Sequence, residues 1–428
     1  MRPSQPLLCG KVAPVSAPGR VCARAAAALL LCALAACGSA GAKDAGPPTL
    51  TWYVGPDRVG AGALAQACTT AAGGAYKIQL EQMPADVDAR HAMLVRRLTA
   101  KDTSIDLLSL DSAFTAEFSA ARFLAPVPEE LAPEFGKDVL PAALTAATYD
   151  GQLAVAPWWF DPQLLWFRGN VAERAGLDTS KPISWEDLVA GAERLDVTIQ
   201  INDRDGSGLA EWVNALIVGG DGDLVRGTGR DPKVGLDSEA GRAAASVASL
   251  YLDSGRGPGP SREALASFAA PGGGFLIASS SIITDPALAA VAVDMGWTAY
   301  PVVGETSVAP LSGVGLAVPL YAPRTEMSYA AINCLTSPTS LRTLMVDTGH
   351  SASRLTAYDI PGVADSYPMA EVTKAAVQTG AAVPVTPYWH AAQSAINDTW
   401  RPLADFVPES TLDESQRAVR AAIAGELP

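Results

Sequence analysis

The sequence predicts an α/β protein with two lobes, and three observations support that fold class. The chain has 428 residues, which is longer than a single hydrophobic core usually holds. Segments with the patterns of strands and helices alternate from residue 49 onward, as they do in open α/β sheets. Between two unlike halves, residues 156–168 have the pattern of an aromatic-rich strand, which we expect to cross from one lobe to the other.

Composition and charge exclude several classes of function. Apolar residues make up 49% of the chain and charged residues 18%, which is typical of a globular protein. The formal net charge of -14 argues against nucleic acid as a partner, because phosphate binding requires clustered Lys and Arg. The three His residues have no metal-ligand spacing, and the sequence has no nucleophile-elbow or phosphate-loop motif. We therefore expect neither a metal nor a cofactor.

The first 48 residues have the pattern of a bacterial lipoprotein signal followed by a tether. Basic residues without any acidic residue precede a short apolar run over residues 25–33. Residues 34–37, Leu-Ala-Ala-Cys, match a lipobox, which predicts cleavage after residue 36 and acylation of the Cys37 thiol. The protein is then held at the outer face of the cell membrane by lipid, without a spanning helix. The alternative is a plain signal peptide. Residues 37–48 are small and polar, as expected of a flexible tether.

The cysteines that remain after processing are expected to form a disulfide. Three of the six cysteines leave with the signal peptide and Cys37 carries the lipid, so Cys68 and Cys334 remain. Two thiols left in an exported protein are most often oxidised to one bridge. The sequence therefore predicts a Cys68–Cys334 disulfide, which requires two distant segments to share one lobe.

The first elements of the mature chain begin an α/β lobe. Residues 49–54 alternate and are rich in β-branched and aromatic side chains, which predicts a strand, and a helix is predicted over 60–72. A second strand over 76–82 is followed by a helix that begins near Pro84. In that helix, Val87, His91, Leu94 and Leu98 recur at helical spacing and predict a packed face with His91 at its edge.

Asp111 follows the next predicted strand, over residues 105–110. In an open α/β sheet, ligands lie beyond the carboxyl ends of the strands, so Asp111 is a candidate ligand acceptor. The alternative is that its carboxylate caps the helix predicted over residues 112–120. A helical stretch is then predicted from about residue 126 to residue 148.

The segment that we expect to cross between the lobes has two different parts. From Leu164 to Arg168, both alternating sets of side chains are mostly apolar, which is typical of a strand buried on both faces. The earlier part places Trp158 and Trp159 beside the carboxylate of Asp161. Indole rings can stack on the C–H faces of a sugar while a carboxylate accepts hydrogen bonds from its hydroxyls. Trp158, Trp159 and Asp161 are therefore candidate ligand contacts, with burial in the core as the alternative.

Strands and helices continue to alternate after residue 180. Residues 202–208 are similar to the first half of a calcium loop but lack the bidentate Glu, so we do not expect calcium there. Asp111 and Asp161 could also form the pair of carboxylates that a glycosidase uses, so glycoside hydrolysis stays an alternative function.

Further strands and helices are predicted in the second half of the chain. Strands are predicted over 275–282, 297–303 and 313–318, and helices over 186–195, 208–218, 238–252, 326–336, 392–406 and 415–423, with a further helix from residue 370.

Several segments resemble the extracellular solute-binding lipoproteins of sugar ABC importers. The similarity to this maltose-binding-like family runs over nearly all of the mature chain, and it is closest to the trehalose-binding lipoproteins of actinobacteria. The segments that carry the resemblance are residues 96–102, 115–118, 163–168, 212–216 and 313–318.

The resemblance implies a type II periplasmic-binding-protein-like fold, with hinge crossings and an interlobe cleft that closes on a disaccharide. Lobe 1 would comprise residues 49–157 and about 312–350, and lobe 2 about 158–311 and 351–428. The implied partners are a sugar and the membrane permease of an ABC transporter, and a monomer is expected. Asp111 and Arg354 match ligand-contacting positions of the family, and Gly313, which lies in a matching segment, is a further candidate ligand contact. Cys68 and Cys334 fall where relatives have cysteines.

Three departures from the family pattern affect the expected ligand. The family commonly has Asn where this chain has Asp161, an acidic residue where it has Ser207, and Trp where it has Ser279. Loss of a Trp at Ser279 would enlarge the pocket and remove a sugar platform, which Trp158 and Trp159 could partly replace. The expected ligand is therefore a carbohydrate or polyol-like solute, with trehalose or a related disaccharide as the specific expectation. A lipid-anchored glycoside hydrolase and a binder of a non-sugar solute are the alternatives.

Overall fold

The computed structural model describes residues 46–56, 58–227 and 231–426. The predicted signal peptide, residues 1–36, and the lipid-bearing Cys37 lie outside the described residues, as does most of the predicted tether over 37–48. Within the described ranges, no helix combines the length and the apolar character that crossing a bilayer requires.

Strands and helices alternate along the described chain as the sequence predicts. The strands are β1 Thr49–Val54, β2 Lys77–Gln82, β3 Leu107–Asp111, β4 Thr148–Tyr149, β5 Gln152–Leu153, β6 Ala156–Arg168, β7 Thr198–Asn202, β8 Val225–Arg226, β9 Lys233–Val234, β10 Pro260–Ser261, β11 Gly273–Ser279, β12 Met295–Thr298, β13 Pro310–Ala317 and β14 Ala381–Ala382. The helices are α1 Arg58–Ala71, α2 Val87–Thr99, α3 Thr115–Ala120, α4 Ala132–Phe135, α5 Pro141–Ala146, α6 Gly169–Arg174, α7 Trp185–Leu195, α8 Gly208–Gly219, α9 Glu239–Asp253, α10 Ala264–Ala269, α11 Thr325–Leu335, α12 Pro338–Thr348, α13 Val363–Ser366, α14 Ala370–Thr379, α15 Trp389–Trp400 and α16 Pro408–Ala424.

One strand, β6, joins two groups of strands. Its first part, up to Pro162, pairs with β13, and its second part, from Gln163, pairs with β11 and β12. The strand order is β10-β7-β11-β6-β13-β3-β1-β2, with β12 paired to β6 and β14 to β13. We call β1, β2, β3 and β13 the first half-sheet, and β7, β10, β11 and β12 the second half-sheet. The prediction of one long crossing strand over residues 156–168 is confirmed.

The core explains why β6 is apolar on both faces. Leu164, Leu165 and Trp166 are fully buried, and the indole nitrogen of Trp166 donates to the carbonyl of Ala278. Side chains of successive residues point to opposite faces of a strand, so burial of all three requires packed layers on both faces of the sheet. The described residues from Pro47 onward pack as one unit, and the lobe boundaries stay a prediction.

Three predicted elements are longer than the observed ones, and in each case a proline lies where the observed element begins or just after it ends. The helical stretch predicted up to residue 148 is wrong, because only the short helices α4 and α5 form, and α5 begins at Pro141. Proline lacks the N–H that a helix interior needs, so it is found at a first turn. Strand β12 ends at Thr298, before Pro301, and α15 ends before Pro402, which shortens the elements predicted over 297–303 and 392–406.

Cys68 in α1 and Cys334 in α11 form a disulfide, with their Cα atoms 5.9 Å apart. Helix α1 packs against β2 of the first half-sheet and α11 packs against α1, which brings together residues 266 positions apart in the chain. The predicted Cys68–Cys334 pairing is therefore confirmed.

Candidate functional site

Strands β3 and β6 bring two predicted site residues to either side of β13. Val314 of β13 pairs with Asp111 of β3 on one side and with Trp159 of β6 on the other. Neighbouring strands lie about 4.8 Å apart, so the backbones of Asp111 and Trp159 are about 10 Å apart. Asp111 is the last residue of its strand, and the carboxyl ends of strands are where α/β sheets bind ligands.

A first group of polar residues, which we call the hinge cluster, surrounds Asp161 on β6. Its carboxylate is 2% exposed and accepts from the backbone N–H of Ser351 at 2.6 Å and from the hydroxyl of Ser279 at 2.9 Å. The Nδ1 atom of His350 lies 2.6 Å from the same carboxylate. The hinge cluster comprises Trp159, Asp161, Ser279, His350 and Ser351. A buried carboxylate needs several polar partners, and here they come from two separate segments, one with Ser279 and one with His350 and Ser351.

The two predicted stacking residues have different surroundings. The ring of His350 stacks on that of Trp159, with centroids 4.0 Å apart and planes 15° apart. Trp158 is 5% exposed and packs edge-on against Trp52 at 5.3 Å, so it belongs to the core of the first half-sheet. Trp159 is only partly buried, and it is the better placed of the two to meet a ligand. A stacking role for Trp158 stays a prediction.

Gly313 allows β13 to approach β6 closely. A Cβ atom at this position would lie 2.2 Å from the Phe160 ring and 2.5 Å from the carbonyl oxygen of Trp159. Only glycine fits such a backbone approach. The residue therefore sets the position of the Trp159 backbone, whatever contact it makes with a ligand.

Arg354 lies close to the hinge cluster but is bonded elsewhere. The backbone of Ala352, two residues before it, forms a bridge with Trp159. The guanidinium is 3% exposed and donates to the carboxylate and the carbonyl of Glu134 at 3.1 and 2.6 Å. Its Nε–H is buried without a hydrogen-bond partner among the described residues. A direct contact between Arg354 and a ligand stays a prediction.

A second group, which we call the acidic cluster, contains Asp111. Arg90 of α2 donates from Nε to Asp111 at 2.7 Å and from Nη2 to Asp205 at 3.2 Å. The side chain of Asp111 makes no cap to the helical turn that follows, so the helix-cap alternative is wrong. The acidic cluster comprises Arg90, Asp111, Asp203, Asp205 and Glu211. Burial alone would lower the pKa of Arg90, but the adjacent Asp111 carboxylate raises it above its usual value.

Ser207 and Glu211 lie at the start of α8, beside Asp205. The backbone N–H and hydroxyl of Ser207 both donate to Asp205, at 3.1 and 2.7 Å, and the N–H of Gly208 donates to Asp203 at 2.8 Å. Glu211 is 9% exposed, and burial, together with the negative charge of Asp205, raises its pKa to about 8. Both polar groups of Ser207 are thus bonded to Asp205, and a contact between Ser207 and a ligand stays a prediction. Within the described residues, no group of these carboxylates could hold a metal ion.

The two half-sheets meet across this region. The N–H of Val87 donates to the carbonyl of Asp205 at 2.9 Å, and the rings of His91 and His390 stack at 3.7 Å. Two cavities lie near the contact. One holds about 10 Å³ beside Ser112, Trp159 and Val314. The other holds about 540 Å³, and its lining includes Asp86, Asp203 and Arg262. Neither of these two cavities is lined by Asp111, Trp158 or Arg354.

Sequence reasoning missed Arg90, Glu134 and His350. Arg90 was detectable in part, because it shares the buried face of α2 with Val87 and Leu94 at helical spacing. A charged residue on a buried face needs a partner, and Asp111 follows the next strand. No local pattern pairs Glu134 with Arg354 or His350 with Trp159.

Comparison with known proteins identifies the family to which the sequence is similar. The sequence pattern of the family described as bacterial extracellular solute-binding protein matches residues 63–371. A probable ABC transporter-binding protein of Deinococcus radiodurans is 25% identical over 118 residues. That match covers 28% of this chain and 27% of the relative, so the chain spans about a quarter of the length of that protein.

Solved structures show the fold. Maltose-bound MalE3 of T. maritima has a TM-score of 0.75 and 19% identity over 87% of this chain and 98% of its own. The GacH receptor of Streptomyces glaucescens, solved unliganded and with acarbose, has a TM-score of 0.76 and 20% identity over 88% and 98%. A ribitol-bound solute-binding protein of Agrobacterium radiobacter has a TM-score of 0.72 and 19% identity over 87% and 98%. The chain thus has the two-lobe α/β fold of maltose-binding-type proteins.

Proposed function

The chain belongs to the family of bacterial extracellular solute-binding proteins, and on that premise we propose that it captures a carbohydrate or polyol for an ABC importer. The observation that carries the proposal is the placement of Asp111, at the carboxyl end of β3, and Trp159 on either side of Val314. Similar structures hold maltose, acarbose or ribitol, which are all rich in hydroxyl groups.

The residues supply the chemistry that a hydroxyl-rich ligand needs. Arg90 occupies one oxygen of the Asp111 carboxylate, and 26% of that side chain is exposed, so it can accept from a ligand hydroxyl. Trp159 supplies a partly buried indole ring, one face of which stacks on His350. Contacts from both half-sheets then favour the closed cleft, and only a difference in affinity between the open and closed forms drives closure.

A disaccharide such as trehalose is the specific ligand that we propose. Ser279 has a small side chain whose hydroxyl is directed to Asp161, so this position leaves room that a larger residue would fill. The hydrogen bonds that Asp161 accepts from Ser279 and Ser351 hold the segments around the site together. Asp161 is therefore a structural residue of the site as well as a candidate ligand contact. We further propose that the protein is a monomer, is anchored through Cys37 at the outer face of the membrane, and delivers its ligand to a permease.

Titration calorimetry of the mature protein with trehalose, maltose, ribitol and mannitol tests the function. We expect at least one of them to bind, and Asp111→Asn to weaken that binding about tenfold, because a charge-assisted hydrogen bond is lost. Binding of an amine or a peptide with no binding of these four compounds would contradict the carbohydrate assignment. Release of reducing ends from a disaccharide would contradict the binding role itself. Against hydrolysis, Asp111 and Asp161 both accept bonds from fixed donors, so neither is placed as the proton donor that glycoside hydrolysis requires.

A further inference from the structure

Arg90 is the most fully bonded cation near the cleft. It lies on α2, which connects strands of the first half-sheet, and its side chain is 5% exposed. Besides its bonds to Asp111 and Asp205, its Nη1 donates to the carbonyls of Pro84 and Ala85 at 3.0 and 2.9 Å. The guanidinium is therefore held in one orientation by four acceptors.

The four acceptors lie on both sides of the cleft. Pro84, Ala85 and Asp111 lie in the first half-sheet and its connections, whereas Asp205 follows β7 of the second half-sheet. The bond from Arg90 to Asp205 spans 115 positions in the sequence. When the half-sheets separate, the bonds within the first half-sheet are retained and the bond to Asp205 is broken. Its formation therefore depends on closure.

We propose that Arg90 is a positioning residue that aligns Asp111 for the ligand and links this alignment to closure of the cleft through Asp205. The inference rests on the proposed function, because it assigns Asp111 to ligand binding. Arg90 itself does not need to touch the ligand. It fixes one oxygen of Asp111, which reduces the freedom that the carboxylate loses when a hydroxyl binds to it.

Arginine suits this role better than lysine. The guanidinium has five N–H donors in a rigid plane, so it can bond two carboxylates and two carbonyls at once. An ammonium group is a point charge on a flexible stem and cannot reach the same four acceptors. We therefore expect that Arg90→Lys does not restore closure, although it keeps the charge.

A second ion pair across the cleft provides the control. Arg262, which follows β10, bonds to Asp86, which precedes α2. Both side chains are about half exposed, at 51% and 42%, whereas that of Arg90 is 5% exposed. Exposed ion pairs contribute little to the equilibrium between the open and closed cleft, because water screens both charges. Arg262→Gln removes one charge of this pair, as Asp205→Asn removes one charge of the Arg90–Asp205 pair, and it tests whether loss of any ion pair across the cleft has the same effect.

The experiment uses the mature protein with Asp205→Asn, Arg90→Lys or Arg262→Gln. Asp205→Asn is the main variant, because it preserves the side-chain shape and leaves Arg90 bonded to Asp111. Small-angle X-ray scattering without sugar measures closure as the radius of gyration, and calorimetry with maltose and trehalose measures affinity. We expect Asp205→Asn and Arg90→Lys to increase the radius of gyration and to weaken sugar binding about tenfold or more, and Arg262→Gln to match the wild type.

The scattering result decides the role of Arg90 even if the sugar assignment fails. An unchanged radius of gyration for Asp205→Asn would overturn the proposal, as would equal effects of Arg262→Gln and Asp205→Asn. If neither sugar binds the wild type, that result counts against the proposed function alone, and the radius of gyration still tests the link to closure.

Discussion

Asp161 and Ser279 lie 118 positions apart in the chain, yet the hydroxyl of Ser279 donates to the Asp161 carboxylate at 2.9 Å. The bond joins β6 to the end of β11, and the same carboxylate holds the N–H of Ser351. One buried charge thus connects three segments where the two half-sheets meet.

Replacing Asp161 with Asn should destabilise the fold. The amide that replaces the carboxylate has one acceptor oxygen instead of two. Because Ser279 and Ser351 donate to different oxygens of Asp161, the NH₂ group faces one of these two donors. We expect the free energy of unfolding to fall by about 1–3 kcal/mol, measured by urea denaturation. The matched control is Asp150→Asn in an exposed turn, which should change it by less than about 0.5 kcal/mol. Equal effects of the two variants would contradict a supporting role for Asp161.

A methyl group at Gly313 should also be destabilising. The added Cβ would meet the Phe160 ring at 2.2 Å and the Trp159 carbonyl at 2.5 Å, so β6 would have to move. Overpacking of this kind costs about 1–3 kcal/mol, which thermal unfolding of Gly313→Ala would detect. Gly62→Ala in α1 is the control, because nothing lies within 4 Å of its new methyl group. Its higher helix propensity should stabilise the protein by up to about 1 kcal/mol. A wild-type melting temperature for Gly313→Ala would show that β13 and β6 have more space than the structure gives them.

Loss of the disulfide should reduce stability without changing the fold. The bridge closes a loop between residues 266 positions apart, and it limits the conformations of the unfolded chain. We expect the double variant Cys68→Ser, Cys334→Ser to lose roughly 3–5 kcal/mol in urea denaturation under non-reducing conditions. Thiol labelling of the unfolded, unreduced wild type provides an independent check. It should modify neither cysteine, and modification of both would contradict the bridge.

The sequence predicted the parts of this fold that depend on local pattern. The strand over residues 156–168 was predicted from its aromatic and apolar side chains, and Asp111 from its place after the strand predicted over 105–110. The sequence did not predict the partners of the buried charged residues. Arg354 pairs with Glu134 across 220 positions, and no periodicity within either segment reports that contact. A pattern shows which face of an element is buried, but the tertiary fold decides which distant group meets that face.

His390 should make the protein less stable as the pH falls. Burial, together with the stacked His91, lowers its pKa below the ordinary value of 6.5, although Asp88 and Glu117 oppose the shift. The unfolded chain therefore binds a proton at a pH where the folded protein does not, so stability is lost as the pH falls below about 6.5. His390→Phe keeps the ring stack and removes the titration. Urea denaturation at pH 7.5 and 5.5 should show a smaller loss for this variant than for the wild type, and equal losses would contradict the prediction.

Glu211 should have the opposite pH dependence. Burial, followed by the charge of Asp205, raises its pKa from 4.5 to about 8 in the folded protein. Its folded-state pKa lies above the unfolded value, so its contribution to stability is complete below about pH 4.5 and is lost as the pH rises through 8. Glutamine is isosteric with the protonated carboxyl group and does not titrate. We expect Glu211→Gln to unfold like the wild type near pH 5 and to be more stable at pH 9, by roughly 1–3 kcal/mol in urea denaturation. Asp111→Asn should not reproduce this pattern, because the Asp111 carboxylate is bonded to Arg90, and its replacement leaves that guanidinium with one carboxylate partner, Asp205, instead of two. A wild-type pH profile for Glu211→Gln would show that Glu211 is charged in the folded protein.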